Sequence, residues 1–117
     1  MNAVLLTSDL GCSSKAAGAA ARAGAELSTA MSVAALLDKV SSQAVDLVIL
    51  DLTTPGLDPR ELVPQLRALP APPRAVMAFG PHVHEAKLAA ATAAGCEMVV
   101  SRGQFHAQLD ELLSKPV

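Results

Sequence analysis

Residues 45–58, Val-Asp-Leu-Val-Ile-Leu-Asp-Leu-Thr-Thr-Pro-Gly-Leu-Asp, pass without a break from aliphatic side chains into a string of loop formers. A short apolar run bounded by turn residues fits a strand covered on both faces, the kind found in parallel sheets. Val45 to Leu50 is therefore read as a strand that delivers Asp51 to its C-terminal end, with Thr53, Thr54, Pro55 and Gly56 as the loop beyond. Ala3 to Thr7 repeats the pattern and ends at Ser8 and Asp9. Two buried strands thus each carry an aspartate to the same end.

Three weaker runs, Glu26 to Met31, Arg74 to Phe79 and Glu97 to Ser101, are bounded by Gly, Pro or Ser and complete a set of five strands. Helical patterns alternate with them. Ser13 to Ala23 is rich in alanine, which favours helix and close packing on a sheet, and Gly24 stops it. Ser32 is a good N-cap for a second helix with Val33, Leu36, Leu37 and Val40 on one face. Asp58 opens a third, with Pro59 at the first helical position and Glu61 placed for a capping box, while Pro64 leaves its start open. Val83 to Ala94, closed by Gly95, and Gln104 to Ser114, ended by Pro116, are the fourth and fifth. Strict alternation of strand and helix predicts an α/β fold, a flavodoxin-like doubly wound parallel sheet in the order 2-1-3-4-5 with helices on both faces. In that order the first and third strands are neighbours at the switch point, where Asp9 and Asp51 should meet.

The composition narrows the function. A length of 117 residues fits one domain, and 51% hydrophobic against 17% charged residues is too apolar for disorder. No Trp or Tyr and only two Phe leave no stacking platform for single-stranded nucleic acid, and a net charge of -2 gives no electrostatic footprint for nucleic acid or an anionic membrane. Cys12 and Cys96 lack metal-ligand spacing, so reduced thiols are expected. Residues 1–10 carry no basic leader, no run approaches membrane-spanning length, and the cytoplasm is the expected compartment.

Two carboxylates converging at one edge repel each other unless a positive charge lies between them, and a hard cation with oxygen ligands, Mg²⁺, is the simplest remedy. A carboxylate beside such a metal can act as a nucleophile toward a phosphoryl donor, which points to Asp51. At Asp51-Leu52-Thr53-Thr54-Pro55-Gly56-Leu57-Asp58 the sequence resembles the response-regulator receiver family of two-component signalling, whose loop after the third strand has a phosphoaccepting Asp and a Pro four residues later. The resemblance runs through the whole chain and implies one receiver-like domain over residues 1–117. It implies Asp51 as phosphoacceptor, Asp9, Asp51 and the backbone carbonyl of Thr53 as weak Mg²⁺ ligands, and Arg102 as a cation near the phosphate. The partners it implies are signalling proteins such as a histidine kinase or a downstream target.

The departures are specific. Ser8 stands where the family has its first acidic residue, so metal binding should weaken. Ala78-Phe79-Gly80 offers no hydroxyl where the family has Ser or Thr. Ser101-Arg102-Gly103 replaces a Lys-Pro, and the planar guanidinium of Arg102 does not reproduce a compact ammonium. Val99 replaces the aromatic residue that couples the site to the output face. A phosphate-independent pseudo-receiver is the alternative these changes raise. A cysteine-based phosphotransfer enzyme using Cys12 is a second alternative, since that residue follows the first strand and precedes a helix, although its loop lacks a Gly-rich cradle. Asp9 fits equally as the N-cap of the first helix, and His82, His84 and His106 read as surface residues.

Overall fold

The computed structural model describes residues 1–114, and the stop assigned to Pro116 lies outside them. In chain order the elements are β1 (Asn2–Leu6), α1 (Leu10–Ala23), β2 (Glu26–Ala30), α2 (Val33–Ser42), β3 (Leu47–Asp51), α3 (Pro59–Arg67), β4 (Ala75–Gly80), α4 (Glu85–Ala94), β5 (Met98–Ser101) and α5 (Arg102–Ser114). The five strands form one parallel sheet in the order β2-β1-β3-β4-β5. This is the expected order.

Side-chain alternation divides the core between the two faces of the sheet. Val4, Leu6, Val48, Leu50, Val76 and Ala78 pack on one face with Leu36 and Val40 of α2, Leu62 and Leu66 of α3 and Ala91 of α4. Leu5, Ile49, Met77 and Phe79 point the other way, toward Ala16, Ala19 and Ala20 of α1 and Phe105, Leu109 and Leu113 of α5. Every residue of β3 is buried, which explains its unbroken aliphatic run. The alanines of α1 let that helix lie close to the sheet, and the two phenylalanines stack with parallel rings 4.0 Å apart between β4 and α5.

Several boundaries differ from the sequence reading for local reasons. α1 begins at Leu10, not Ser13, because the Asp9 carboxylate accepts from the amides of Gly11 and Cys12 and caps the helix early. Asp58 caps α3 by accepting from the Arg60 amide, rather than through the reciprocal box expected with Glu61. The helix then continues through Pro64. α4 starts at Glu85 instead of Val83, since residues 82 and 83 lie in a turn closed by His84 N–H donating to the Pro81 carbonyl. α5 starts at Arg102, two residues early. There Ser101 and Gln104 make the reciprocal capping box: the Ser101 amide donates to Gln104 Oε1 at 2.9 Å, and the Gln104 amide donates to Ser101 Oγ at 3.2 Å.

Candidate functional site at the C-terminal edge of the sheet

Three chain segments meet at the C-terminal edge: the loop after β1, the end of β3, and the junction of β5 with α5. Asp51 ends β3 and is almost wholly buried, with 1% of its surface exposed. Both of its carboxylate oxygens are engaged. Oδ1 accepts from the Thr53 amide at 3.0 Å and the Thr53 hydroxyl at 2.7 Å. Oδ2 accepts from the Thr7 hydroxyl at 2.7 Å and lies 3.6 Å from Nη2 of Arg102.

Asp9 is the N-cap that the sequence offered as one alternative, and it also pairs with Arg102. Its Oδ1 caps α1, while its Oδ2 accepts from Arg102 Nη1 at 3.2 Å. The Cys12 amide, aided by the Gly11 amide and Arg102 and opposed by burial, holds the Asp9 carboxyl below the ordinary range. Thr7 closes the circuit by accepting the Asp9 amide at 3.1 Å, and Thr53 Oγ1 accepts from Arg102 Nη2 at 3.5 Å. Asp9, Arg102, Thr53, Asp51 and Thr7 thus form one connected polar network.

The sequence reading placed Asp9, Asp51, Thr53 and Arg102 at this edge, and the structure brings all four together. It also puts a positive charge between the carboxylates. A hard cation was the simplest remedy for their repulsion, yet Arg102 supplies the positive charge from within the chain, within 3.2 Å of Asp9 and 3.6 Å of Asp51. A divalent ion would have to compete with Arg102 for these oxygens. Asp51 accepts from hydroxyl and amide donors with the guanidinium beside Oδ2, and Asp9 divides its oxygens between a helix and Arg102.

Thr7 is the site residue that motif reading missed. The signal was in the alternation. Leu5 pairs with Ile49 and Leu6 with Leu50, so the next step of the register sets Thr7 opposite Asp51 on the face shared by Leu5 and Ile49. Hydroxyls from Thr7 and Thr53 thus bind the Asp51 carboxylate itself.

Cys12 lies inside α1, 3% exposed, and not in a loop ahead of it. Burial, with Asp51 and Asp9 nearby, pushes its thiol up to about 11, which opposes the thiolate that a cysteine phosphotransfer enzyme requires. Among the histidines, His82 and His84 are exposed, but His106 is half-buried, its ring centroid 5.5 Å from that of Phe105. Burial, together with Lys15 and Arg102, lowers its pKa.

A five-stranded parallel sheet in this order, with helices on both faces, is the flavodoxin-like doubly wound fold. No protein-family model and no curated protein matches the sequence. Solved structures do match. The chain is similar to a response-regulator receiver domain from Methylobacillus flagellatus (21% identity, TM-score 0.81, covering 97% of this chain and 95% of that one). Full-length FixJ from B. japonicum matches at 18% identity and a TM-score of 0.82, over 97% of this chain but only 55% of FixJ, so the chain spans about half the length of that protein. The receiver domain of a Pseudomonas aeruginosa sensor histidine kinase, solved with a magnesium ion in its active-site cleft, matches at 14% identity and a TM-score of 0.81, covering 96% of this chain and 93% of that domain. What these relatives share with the chain is the fold.

Proposed function

We propose that this protein is a signalling module of receiver type that works by docking on another protein, with Asp51 a marginal phosphoacceptor. The observation that carries the reading is the state of Asp51. The residue occupies the receiver phosphoacceptor position by resemblance, but both oxygens accept hydrogen bonds and a guanidinium stands beside one of them. Hydrogen bonds and a nearby guanidinium draw charge from the oxygens that would attack phosphorus and lower their nucleophilicity. Ser8 contributes no acidic group and Gly80 no hydroxyl, so Mg²⁺ binds weakly and the transferred phosphoryl group gains little support.

The phosphate-independent form of this reading is favoured by Arg102, which already places a positive charge against both carboxylates. The partner is a signalling protein, such as a histidine kinase or a downstream target, and the compartment is the cytoplasm. No helix among the described residues is long and apolar enough to cross a membrane.

Intact-protein mass spectrometry after incubation with acetyl phosphate and Mg²⁺ tests the reading, with Asp51→Asn as control. The expected result is slow, substoichiometric modification that the control abolishes. Losing one well-placed donor costs about 2.7 to 4 kcal/mol of barrier in other enzymes, enough to slow transfer by orders of magnitude. Rapid, stoichiometric modification would refute marginal phosphorylation, and modification that persists in the control would remove Asp51 as acceptor.

A further inference from the structure

We infer that Arg102 is a tethered counter-ion standing in for a divalent cation, so that it sets the divalent affinity of this site by competition. The inference rests on the receiver-type reading of the sheet edge and adds the group that regulates it. Three observations carry it. The guanidinium divides its two terminal nitrogens between the carboxylates, Nη1 to Asp9 Oδ2 at 3.2 Å and Nη2 facing Asp51 Oδ2 at 3.6 Å. A bound cation would have to balance the same two charges.

The backbone holds Arg102 in place by a device separate from those ion pairs. The reciprocal bonds of Ser101 and Gln104 fix the first turn of α5, so Arg102 leaves the sheet edge at a defined angle. A cation in the first turn of a helix opposes the macrodipole, and a sequence optimised for the helix alone would place an acidic residue there. The two carboxylates compensate for that unfavourable placement.

The third observation is the depth of the contact. Although the Arg102 side chain is 35% exposed as a whole, its Nε is buried without a partner, and Asp51 beneath it is 1% exposed. Asp51 would otherwise be an uncompensated charge in the interior. Arg102 is the positively charged group that an incoming ion must displace, so divalent affinity is set by competition with it.

Calorimetric titration of the full chain with Mg²⁺ tests the inference. Arg102→Ala is expected to bind Mg²⁺ roughly tenfold or more tightly than the unaltered protein, the scale expected from removing a unit charge a few ångströms away. Adding Asp9→Asn to that variant should remove the gain. Equal affinities with and without Arg102, or a gain that survives Asp9→Asn, would overturn the inference. Thermal unfolding supplies a second readout: Arg102→Ala should melt lower than the parent in metal-free buffer and recover on adding Mg²⁺, while the parent moves far less at the same concentration. Where the alanine variant does not fold, Arg102→Gln, which keeps bulk and donors but no charge, is judged by the same outcomes. Phosphorylation of Asp51 bears on the proposed function alone, and the titration on Arg102 alone, so failure of one is not mistaken for failure of the other.

Discussion

Thr7 shows how much depends on one hydroxyl at this edge. It donates to a buried carboxylate oxygen and accepts the Asp9 amide, linking the end of β1 to the end of β3. Thr7→Val keeps the shape and removes the donor, so denaturant unfolding at neutral pH should show a loss of about 1.5 to 3 kcal/mol, the range for a hydrogen bond to a charged group. Thr7→Ser should retain most of that. A valine variant as stable as the parent would mean that Asp51 replaces the lost bond with water. Asp51, Asp9 and Arg102 were legible because each lies at the end of an apolar run. The ring connecting them was not, since it depends on which hydroxyl a strand register sets opposite Asp51 and on how far an arginine reaches across β4. Residue types announce chemistry, but register decides which of them touch.

At the scale of elements, the order of strands and helices could be read from apolar runs and from the breaks at Gly24 and Gly95, both of which adopt the left-handed conformation at helix ends. Helix starts were less legible. Caps decide them, and a cap is a hydrogen bond that leaves only a short motif: Asp9 ahead of α1, and the Ser-Arg-Gly-Gln sequence of residues 101–104 ahead of α5. Pro64 inside α3 is exposed and withholds one amide from the helix ladder. Pro64→Ala is expected to stabilise the protein by about 1 to 3 kcal/mol in denaturant unfolding. Destabilisation would show that the proline ring, not the helix ladder, matters at that position.

For the molecule as a whole, ionisation sets limits on the pH range of stability. Asp9 is held below its ordinary value, chiefly by the Cys12 amide. Glu97 is also lowered, because the Val76 amide and Arg67 outweigh burial. For both, the stabilisation is fully present above the unfolded-state values of 3.8 and 4.5 and is lost as pH falls through the folded ones. His106, lowered mainly by burial, adds a penalty that begins once pH drops below 6.5. Cys12 and Cys96 act at the other end. Burial raises both thiols from 9.0 to about 11, so stability present below pH 9 should fall as pH rises between those values. Unfolding measured across pH should therefore show a plateau from near neutrality to about pH 9, with losses on both sides. An alkaline limb that persists after Cys12→Ala and Cys96→Ala would assign it to other groups.

The stacked pair of Phe79 and Phe105 has an optical consequence. With no Trp or Tyr in the sequence, these two rings are its only benzene-type chromophores, and they join β4 to the helix that carries Arg102 at its first position. The near-ultraviolet circular dichroism of the native protein should consist of phenylalanine fine structure alone, reporting the packing of that one junction. Any event that pulls the start of α5 away from the sheet should register there as a spectral change, without a label and without interference from elsewhere in the chain.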